Sequence, residues 1–478
     1  MDLHRSARPP LHDREVPANV QRGRAHRGHP RVHRHLDRLD RAGPGERGPS
    51  GDAVARLSAF DSTGSDIDAD TDRLPELADR LRRAASDHGT PCYVTDVAGL
   101  AAAAGELEAA FPDPWIRQFS IKANDVPAII AELARLGLGA NVVSRGEWAR
   151  ARRAWLPNES ITLEGVGKTD ADLRAAVSAA RRGDPLRWVA VESPEEAEAL
   201  ATFAQGAHVT LDVLFRLNPD VAPETQAVLA VGSGASKFGM TETELTRTVQ
   251  RLAGAAPGGL RPRGIHLHVG SQLGAIDAWR DGVRRAVAVL GLVRGSMPDF
   301  DTLDVGGGFP VAPFGWAPSV PAPGRFAREI PALLETVPAD RRPLRLAVEP
   351  GRFLVARAGW IVARVLHVRD RGARLAVIDA GMAELVRPAL YGAVHPVVAL
   401  TSRGEPVDDA GPAASLRPGF EPTRVDGPIC ESTDTLGVHS LPPLRRGDLV
   451  AIRDAGAYAA SMSSAYNGRP RRAQVLLR

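Results

Sequence analysis

Lysine is almost missing from this chain. Among 60 lysines and arginines in 478 residues, only Lys122, Lys168 and Lys237 are lysines. A chain that carries its positive charge on arginine keeps lysine where guanidinium will not serve. One such job is a Schiff base, because only an amine that can lose its proton attacks an aldehyde. The plain alternative is an arginine-biased composition that left three lysines behind. Cysteine is scarce as well: Cys92 and Cys430 make no disulfide framework, which points to a reducing, cytoplasmic home. No apolar run is long enough to cross a membrane. The formal net charge is only +3, so nothing calls for a nucleic-acid partner.

Residues 1–72 also lack apolar periodicity. His4, His12, His26, His29, His33 and His35 stand there among arginines, prolines and glycines, a composition of the disordered type. A signal peptide would need an apolar stretch that is absent, and the aspartates and scarce serines argue against a transit peptide. The histidines lack repeated metal-ligand spacing. A misassigned start codon is an equal reading, and the segment is set aside from the fold.

What the chain has is rhythm. Helical spacing runs from Leu74 to about His88, a strand is expected over Thr90–Thr95, and an alanine-rich helix over Leu100–Phe111. Short apolar strands then follow at Phe119–Ile121, Ala140–Val143, Ser160–Leu163, Trp188–Val191, Val213–Leu217, Gly264–Val269, Thr302–Val305 and Leu344–Val348. Helical stretches separate most of them, for example Val126–Leu136, Pro194–Phe203 and Ala278–Val293. Eight strands alternating with helices predict an α/β chain built on a (β/α)8 barrel. After Glu349 the rhythm stops. Trp360–Val368, Arg374–Ile378, Val425–Ile429 and Leu449–Arg453 are β-type runs broken by glycine and proline, predicting a C-terminal β domain. The expected division is an extension over 1–72, a helix and strand at 73–97 that join the β domain, the barrel over 98–349, and the β domain over 350–478.

The chemistry sits at strand ends. Lys122 would close the first barrel strand, the usual address of catalytic groups in such folds. Asp304-Val-Gly306-Gly307-Gly308 follows the seventh strand and Glu349-Pro-Gly351-Arg352 the eighth, where barrels commonly hold a phosphate on backbone N–H groups and an arginine. His266 and His268 lie two apart on the sixth strand, hence on one face, ahead of Gly270 and Ser271. No third ligand has the right local spacing, so no metal is expected. A neutral imidazole stacked on an aromatic cofactor and a core histidine both remain open. Gly165-Val-Gly167-Lys168 lacks the first glycine of a phosphate-binding P-loop, leaving Lys168 to cap or decorate a helix start. Lys237, in a loop, is the rival Schiff-base candidate. Cys430, beside Glu431, reads either as a proton donor to a carbanion or as a buried inert thiol. Arg387 and Tyr391, four apart, can bind a carboxylate together.

Together these motifs resemble the pyridoxal-phosphate decarboxylases of the alanine-racemase barrel type, most closely the diaminopimelate decarboxylase branch, from about Thr90 to Arg469. The resemblance implies pyridoxal 5'-phosphate as cofactor and α-decarboxylation of an amino acid, meso-2,6-diaminopimelate going to L-lysine and CO2. It implies that Lys122 forms the Schiff base, His268 stacks on the pyridine ring and Glu349 pairs with the ring nitrogen. Ser271, Gly306 to Gly308 and Arg352 would hold the phosphate, with Tyr458 also at the cofactor. Arg352, Arg387, Tyr391, Glu431 and Tyr458 would touch substrate, and Cys430 would protonate the product. It implies a homodimer in which the second copy supplies Cys430 and Glu431. Glu349 favours decarboxylase over racemase, because barrel racemases place an arginine there. The Cys430-Glu431 pair favours the diaminopimelate branch over ornithine decarboxylase. Two departures stand out: Asn141 occupies a position generally held by aspartate, and the segment before Lys237 reads Thr225-Gln226 and Val231-Gly232-Ser233-Gly234 where a histidine and a Thr-Gly pair are usual. They leave two rival readings: the same chemistry on another amino acid or a carboxylated polyamine, or a barrel that binds the cofactor without turnover.

Overall fold

The computed structural model describes residues 74–221, 236–253, 259–313, 320–407 and 418–478. The expected extension over 1–72 and the departures at Gln226 and residues 231–234 lie outside the described residues. Eight parallel strands close into a barrel. After β1 (Cys92–Asp96), they are β2 (Ile116–Ser120), β3 (Gly139–Val142), β4 (Ile161–Leu163), β5 (Trp188–Val191), β6 (Thr210–Leu217), β7 (Gly259–Leu267), β8 (Thr302–Asp304) and β9 (Arg345–Val348). All eight predicted strands are present, with ends shifted by a few residues. Three of the helices between them start at polar caps that the sequence supplies: Ser144 accepts from Glu147 N, Ser193 from Glu196 N, and Thr169 and Asp172 form a reciprocal capping box.

Alternation along each strand sorts the barrel into two surfaces. Outward side chains such as Phe119, Val142, Leu163, Val191, Phe215 and Leu267 join the helices in one large core. Inward, Trp188, Ala190, Leu214 and Ala347, with Ile116 against them, plug the end where the strands begin. Towards the strand ends the same inward rows turn polar, through Gln118, Asn141 and Thr162 to Glu192, Arg216, His266, Asp304 and Glu349, all buried. The apolar plug directs chemistry to the carboxyl end of the barrel.

The β-rich part is an eight-stranded sheet. Its long strand β10 (Gly359–Asp370) pairs antiparallel with β1 and with β11 (Arg374–Ile378). β12 (Val397–Ala399) lies beside β17 (Leu449–Ile452), and β15 (Glu421–Asp426) beside β16 (Thr435–Leu441). β13 (Thr401–Ser402) and β14 (Glu405–Pro406) make a separate hairpin, and β18 (Gln474–Leu477) adds to β1. The helix Leu74–His88 covers one face, where Leu81, Ala84 and Ala85 cluster with Val94, Trp360 and Val362. β12, β16 and β18 have no counterpart in the sequence pattern: β12 has only three residues, and β16 is broken by Gly437 and by half-buried polar residues.

Candidate active site

β2 ends at Ser120, and Ile121–Ala123 is a single 3-10 turn, so Lys122 sits just past the strand rather than within it. The turn is held from the β domain. Tyr458 N donates to Ala123 O at 2.7 Å, Ser461 Oγ to Lys122 O at 3.0 Å, and Asn124 Nδ2 to Gly456 O at 2.9 Å. The Lys122 side chain nevertheless keeps 37% exposure, so it remains reachable from solvent. Lys122 Nζ lies 3.4 Å from Glu164 Oε1. Burial pulls the amine towards the neutral form, but Glu164, Tyr458 and Glu349 outweigh it and hold its pKa above the ordinary lysine value. The rival lysines are placed otherwise. Lys237 is exposed in a loop with its ammonium over the Phe238 ring. Lys168 corrects the expectation of a helix cap: Thr169 is the cap, while the fully buried Lys168 side chain pairs with Glu196 at 2.9 Å and donates to Gly165 O. An ammonium withdrawn from water this far needs a carboxylate, which is why it turns inward.

His266 Nε2 lies 3.1 Å from Glu349 Oε2 and 3.1 Å from Glu164 Oε2. Burial disfavours an imidazolium there, yet the two carboxylates overcome it and raise His266 to about 10. One possible donor atom from each of Glu164, His266 and Glu349 falls within 4.8 Å of the others. Metal-ligand spacing along the chain could not see this trio, and the shared imidazolium proton accounts for its closeness. His268, one step nearer the strand end, is driven the other way. Burial, then Lys122 and Arg216, hold it well below the ordinary histidine value and therefore neutral. Asp304 is buried with Oδ1 accepting from Gly306 N at 2.9 Å, and burial plus Glu349 push it well above the usual carboxylate range.

Gly306, Gly307 and Gly308 fold flush against the strand ends. A Cβ at Gly307 would meet Glu349 O at 2.2 Å, and Gly306 and Gly308 take positive φ of 70° and 93°. The turn spends two of its donors inside the protein, Gly306 N on Asp304 and Gly307 N on His268 Nδ1 at 3.4 Å. Ser271 is half-buried in the neighbouring turn after β7. There Gln272 exchanges two hydrogen bonds with Val311 and ties the two loops together.

Arg352 opens the short helix Arg352–Val355 and is buried, its guanidinium 4.8 Å from the Tyr458 ring. Arg387 and Tyr391 share one helical turn, Arg387–Tyr391. Burial, then Arg352, lower Arg387 to about 10, so two guanidiniums crowd one another beside two tyrosines, a setting that favours an incoming carboxylate. His395, which the sequence did not single out, supports Arg387. Burial and Arg387 bring it down to about 4, its Nδ1 faces Arg453 O at 3.1 Å, and its Nε2 is then free to accept from Arg387 at 3.1 Å.

Lys122, His268, Ser271, Gly306 to Gly308, Glu349, Arg352, Arg387, Tyr391 and Tyr458 are thus brought to the carboxyl end of the barrel and the β-domain loops above it. Cys430 and Glu431 are not among them: both are exposed after β15, and Glu431 accepts from Tyr466 Oη at 2.6 Å. The exposed thiol rules out the reading of a buried inert cysteine. Glu164, placed against both Lys122 and His266, was missed because its motif was read for its glycines and lysine.

The donor set suits pyridoxal phosphate. Glu349 Oε1 is buried with no hydrogen-bond partner among the described residues, aimed inward beside a reachable amine and a neutral imidazole. Residues 98–356 match the family model for the pyridoxal-dependent decarboxylase, pyridoxal binding domain. The chain is 36% identical to a diaminopimelate decarboxylase of Deinococcus radiodurans over 398 residues, 83% of this chain and 92% of the relative. To one of Zymomonas mobilis it is 33% identical over 412 residues, covering 84% and 90%. Its fold is similar to that of the Helicobacter pylori diaminopimelate decarboxylase crystallised with L-lysine, with a TM-score of 0.74, 28% identity, and coverage of 83% and 94%.

Proposed function

This chain belongs to the pyridoxal-dependent decarboxylases, and from that premise we propose that it converts meso-2,6-diaminopimelate to L-lysine and CO2 with pyridoxal phosphate as cofactor. The observation that carries the reading is Lys122, Glu349 and a neutral His268 brought together at the strand ends, with buried Arg352 and half-buried Arg387 beside them. Bound pyridoxal phosphate supplies an electron sink for the pair left behind when a carboxylate departs as CO2. The side chains supply the rest. Lys122 offers the amine that anchors the cofactor aldehyde. Glu349 would keep a proton on the pyridine nitrogen, its Oε1 having no other partner among the described residues, while His266 fixes the carboxylate by its other oxygen. His268, uncharged, would lie against the ring without opposing its positive charge. The turn of Gly306 to Gly308, with Ser271 and Arg352, would hold the phosphate, with Tyr458 alongside. Arg387, Tyr391, Arg352 and Tyr458 answer the distal carboxylate of the substrate, and Glu431 its ammonium.

Cys430 gives the proton that replaces the lost carboxylate, and it comes from a second copy of the chain. The supports for a homodimer are that Cys430 and Glu431 stand exposed, with exposed Leu390, Val438 and Tyr466 on the same domain. The division at 97 and 349, with the helix and strand of 73–97 serving the β domain, belongs to the same reading, as does a cytoplasmic location, which two free cysteines suit. Asn141 in place of an aspartate keeps a second substrate in view. The test is CO2 release from the purified protein with pyridoxal phosphate, comparing meso-diaminopimelate with ornithine, arginine, lysine and carboxynorspermidine. Release from diaminopimelate alone is the expected result. Release from another compound alone overturns the substrate, and silence on all of them overturns turnover itself.

A further inference from the structure

Two adjacent barrel strands carry an exchange of charge. Asn141 on β3 is buried, and neither atom of its amide has a hydrogen-bond partner among the described residues. It is aligned with Thr162 on β4. Glu164 stands two residues beyond Thr162, hence on the same inward face, and its N–H continues the ladder to Val142 O at 2.8 Å. The carboxylate missing at position 141 is therefore present one strand over and one level nearer the strand ends, with Oε1 3.4 Å from Lys122 Nζ and Oε2 3.1 Å from His266 Nε2.

The groups that face Glu164 come from every side of the barrel. They are Lys122 after β2, Glu147 on the helix after β3, Arg216 on β6, His266 and His268 on and just after β7, Asp304 on β8 and Glu349 after β9. Lys122, His266 and Arg216 are three cations set against the carboxylates of Glu164, Glu349 and Glu192, the last pairing with Arg216 at 2.7 Å, while burial shifts the further acids Glu147 and Asp304 towards their protonated forms. A further carboxylate at position 141 would have no cation left to answer it. A buried ion without a partner is strongly disfavoured, so one carboxylate belongs at 141 or at 164, not at both.

We propose that Glu164 is a positioning residue for Lys122, supplying from β4 the negative charge that an aspartate at position 141 would supply from β3, and so setting the protonation and aim of the Lys122 amine. The inference rests on the reading above only in taking Lys122 as the anchor of the cofactor. It does not depend on which substrate is turned over.

With only three lysines, the test can be resolved peptide by peptide. The full chain, freed of cofactor, is labelled with an amine-reactive reagent across a pH series, with exposed Lys237 as internal reference. In Glu164→Gln, Lys122 is expected to label about tenfold faster at pH 8, the change produced by a midpoint about one pH unit lower. In the loaded full chain, the pH midpoint of the visible absorbance of the Lys122-bound cofactor is expected to move the same way. Adding Asn141→Asp to Glu164→Gln is expected to restore slow labelling. Unchanged Lys122 reactivity in Glu164→Gln overturns the proposal, as does fast labelling in the double variant. Should Glu164→Gln prove insoluble, a soluble double variant with wild-type Lys122 reactivity supports it and an insoluble one refutes it. Because no arm reads CO2, a wrong substrate leaves the result intact.

Discussion

Removing one of the two carboxylates at His266 isolates the electrostatics on which the site depends. The variant is Glu349→Gln, which keeps the side-chain shape and deletes the charge 3.1 Å from His266 Nε2. In the wild type His266 holds its proton to about 10 when folded, against an ordinary 6.5. Its folded value is raised, so the stability it contributes is full below about 6.5 and is lost as pH climbs through about 10. At roughly 1.4 kcal/mol per pH unit, this group adds about 4 to 5 kcal/mol to the wild type at pH 6, and roughly 3 kcal/mol of that is gone by pH 9. In the variant Glu164 alone must offset burial, so His266 is expected to give up its proton at a lower pH and the stability lost over the same interval to be smaller. Urea unfolding of cofactor-free wild type and variant at pH 6 and pH 9 reads the difference between the two losses, to which Lys122 and Asp304 add because Glu349 acts on both. A nitrogen-15 titration of the imidazole reads the histidine directly. Parallel stability losses, or an imidazole still protonated at pH 9 in the variant, would falsify the shared-proton account.

Three further outcomes follow from the geometry. Cys430→Ala is expected to slow turnover about 10²- to 10⁴-fold, the usual worth of a placed proton donor, without loosening the cofactor; full activity would remove the donor role. Gly307→Ala puts a Cβ 2.2 Å from Glu349 O, so a loss of about 1 to 3 kcal/mol in urea stability together with weakened cofactor retention is expected, and a silent substitution would mean that the turn is not packed as described. Arg387→Ala is expected to raise KM for diaminopimelate by roughly tenfold to a hundredfold, the effect of losing a charge-assisted hydrogen bond of about 1.5 to 3 kcal/mol, with CO2 release near normal at saturation. A drop in kcat at unchanged KM would move Arg387 out of substrate binding.

The barrel was legible because its strands are short apolar runs spaced by helices, a pattern carried by local sequence. Lys122 was legible from its rarity, and Gly306 to Gly308 and Glu349 from their places after the seventh and eighth strands. Glu164 was not, because its partners Lys122 and His266 lie 42 and 102 residues away and it meets them only once the barrel closes. The raised His266 and lowered His268 were equally hidden. Two histidines on one strand face look alike in sequence and diverge only through which charges surround each. His395 lies outside any periodic run, and the carbonyl it faces, Arg453 O, is 58 residues further along the chain. The misreading of Lys168 has the same root: a lysine near a helix start suggests the surface, and only the neighbouring helix reveals the carboxylate that draws it in.

The hold on the turn at Lys122 also bears on when the protein becomes competent. Ser461 and Lys122, joined by a hydrogen bond, are 339 residues apart in the chain. On a ribosome the reactive amine emerges long before its latch, and for most of synthesis the barrel strand ends with nothing to hold them from above. Capture of the aldehyde would then report on arrival of the final segment, so a nascent chain truncated before Gly456 should ignore a cofactor that the finished chain takes up.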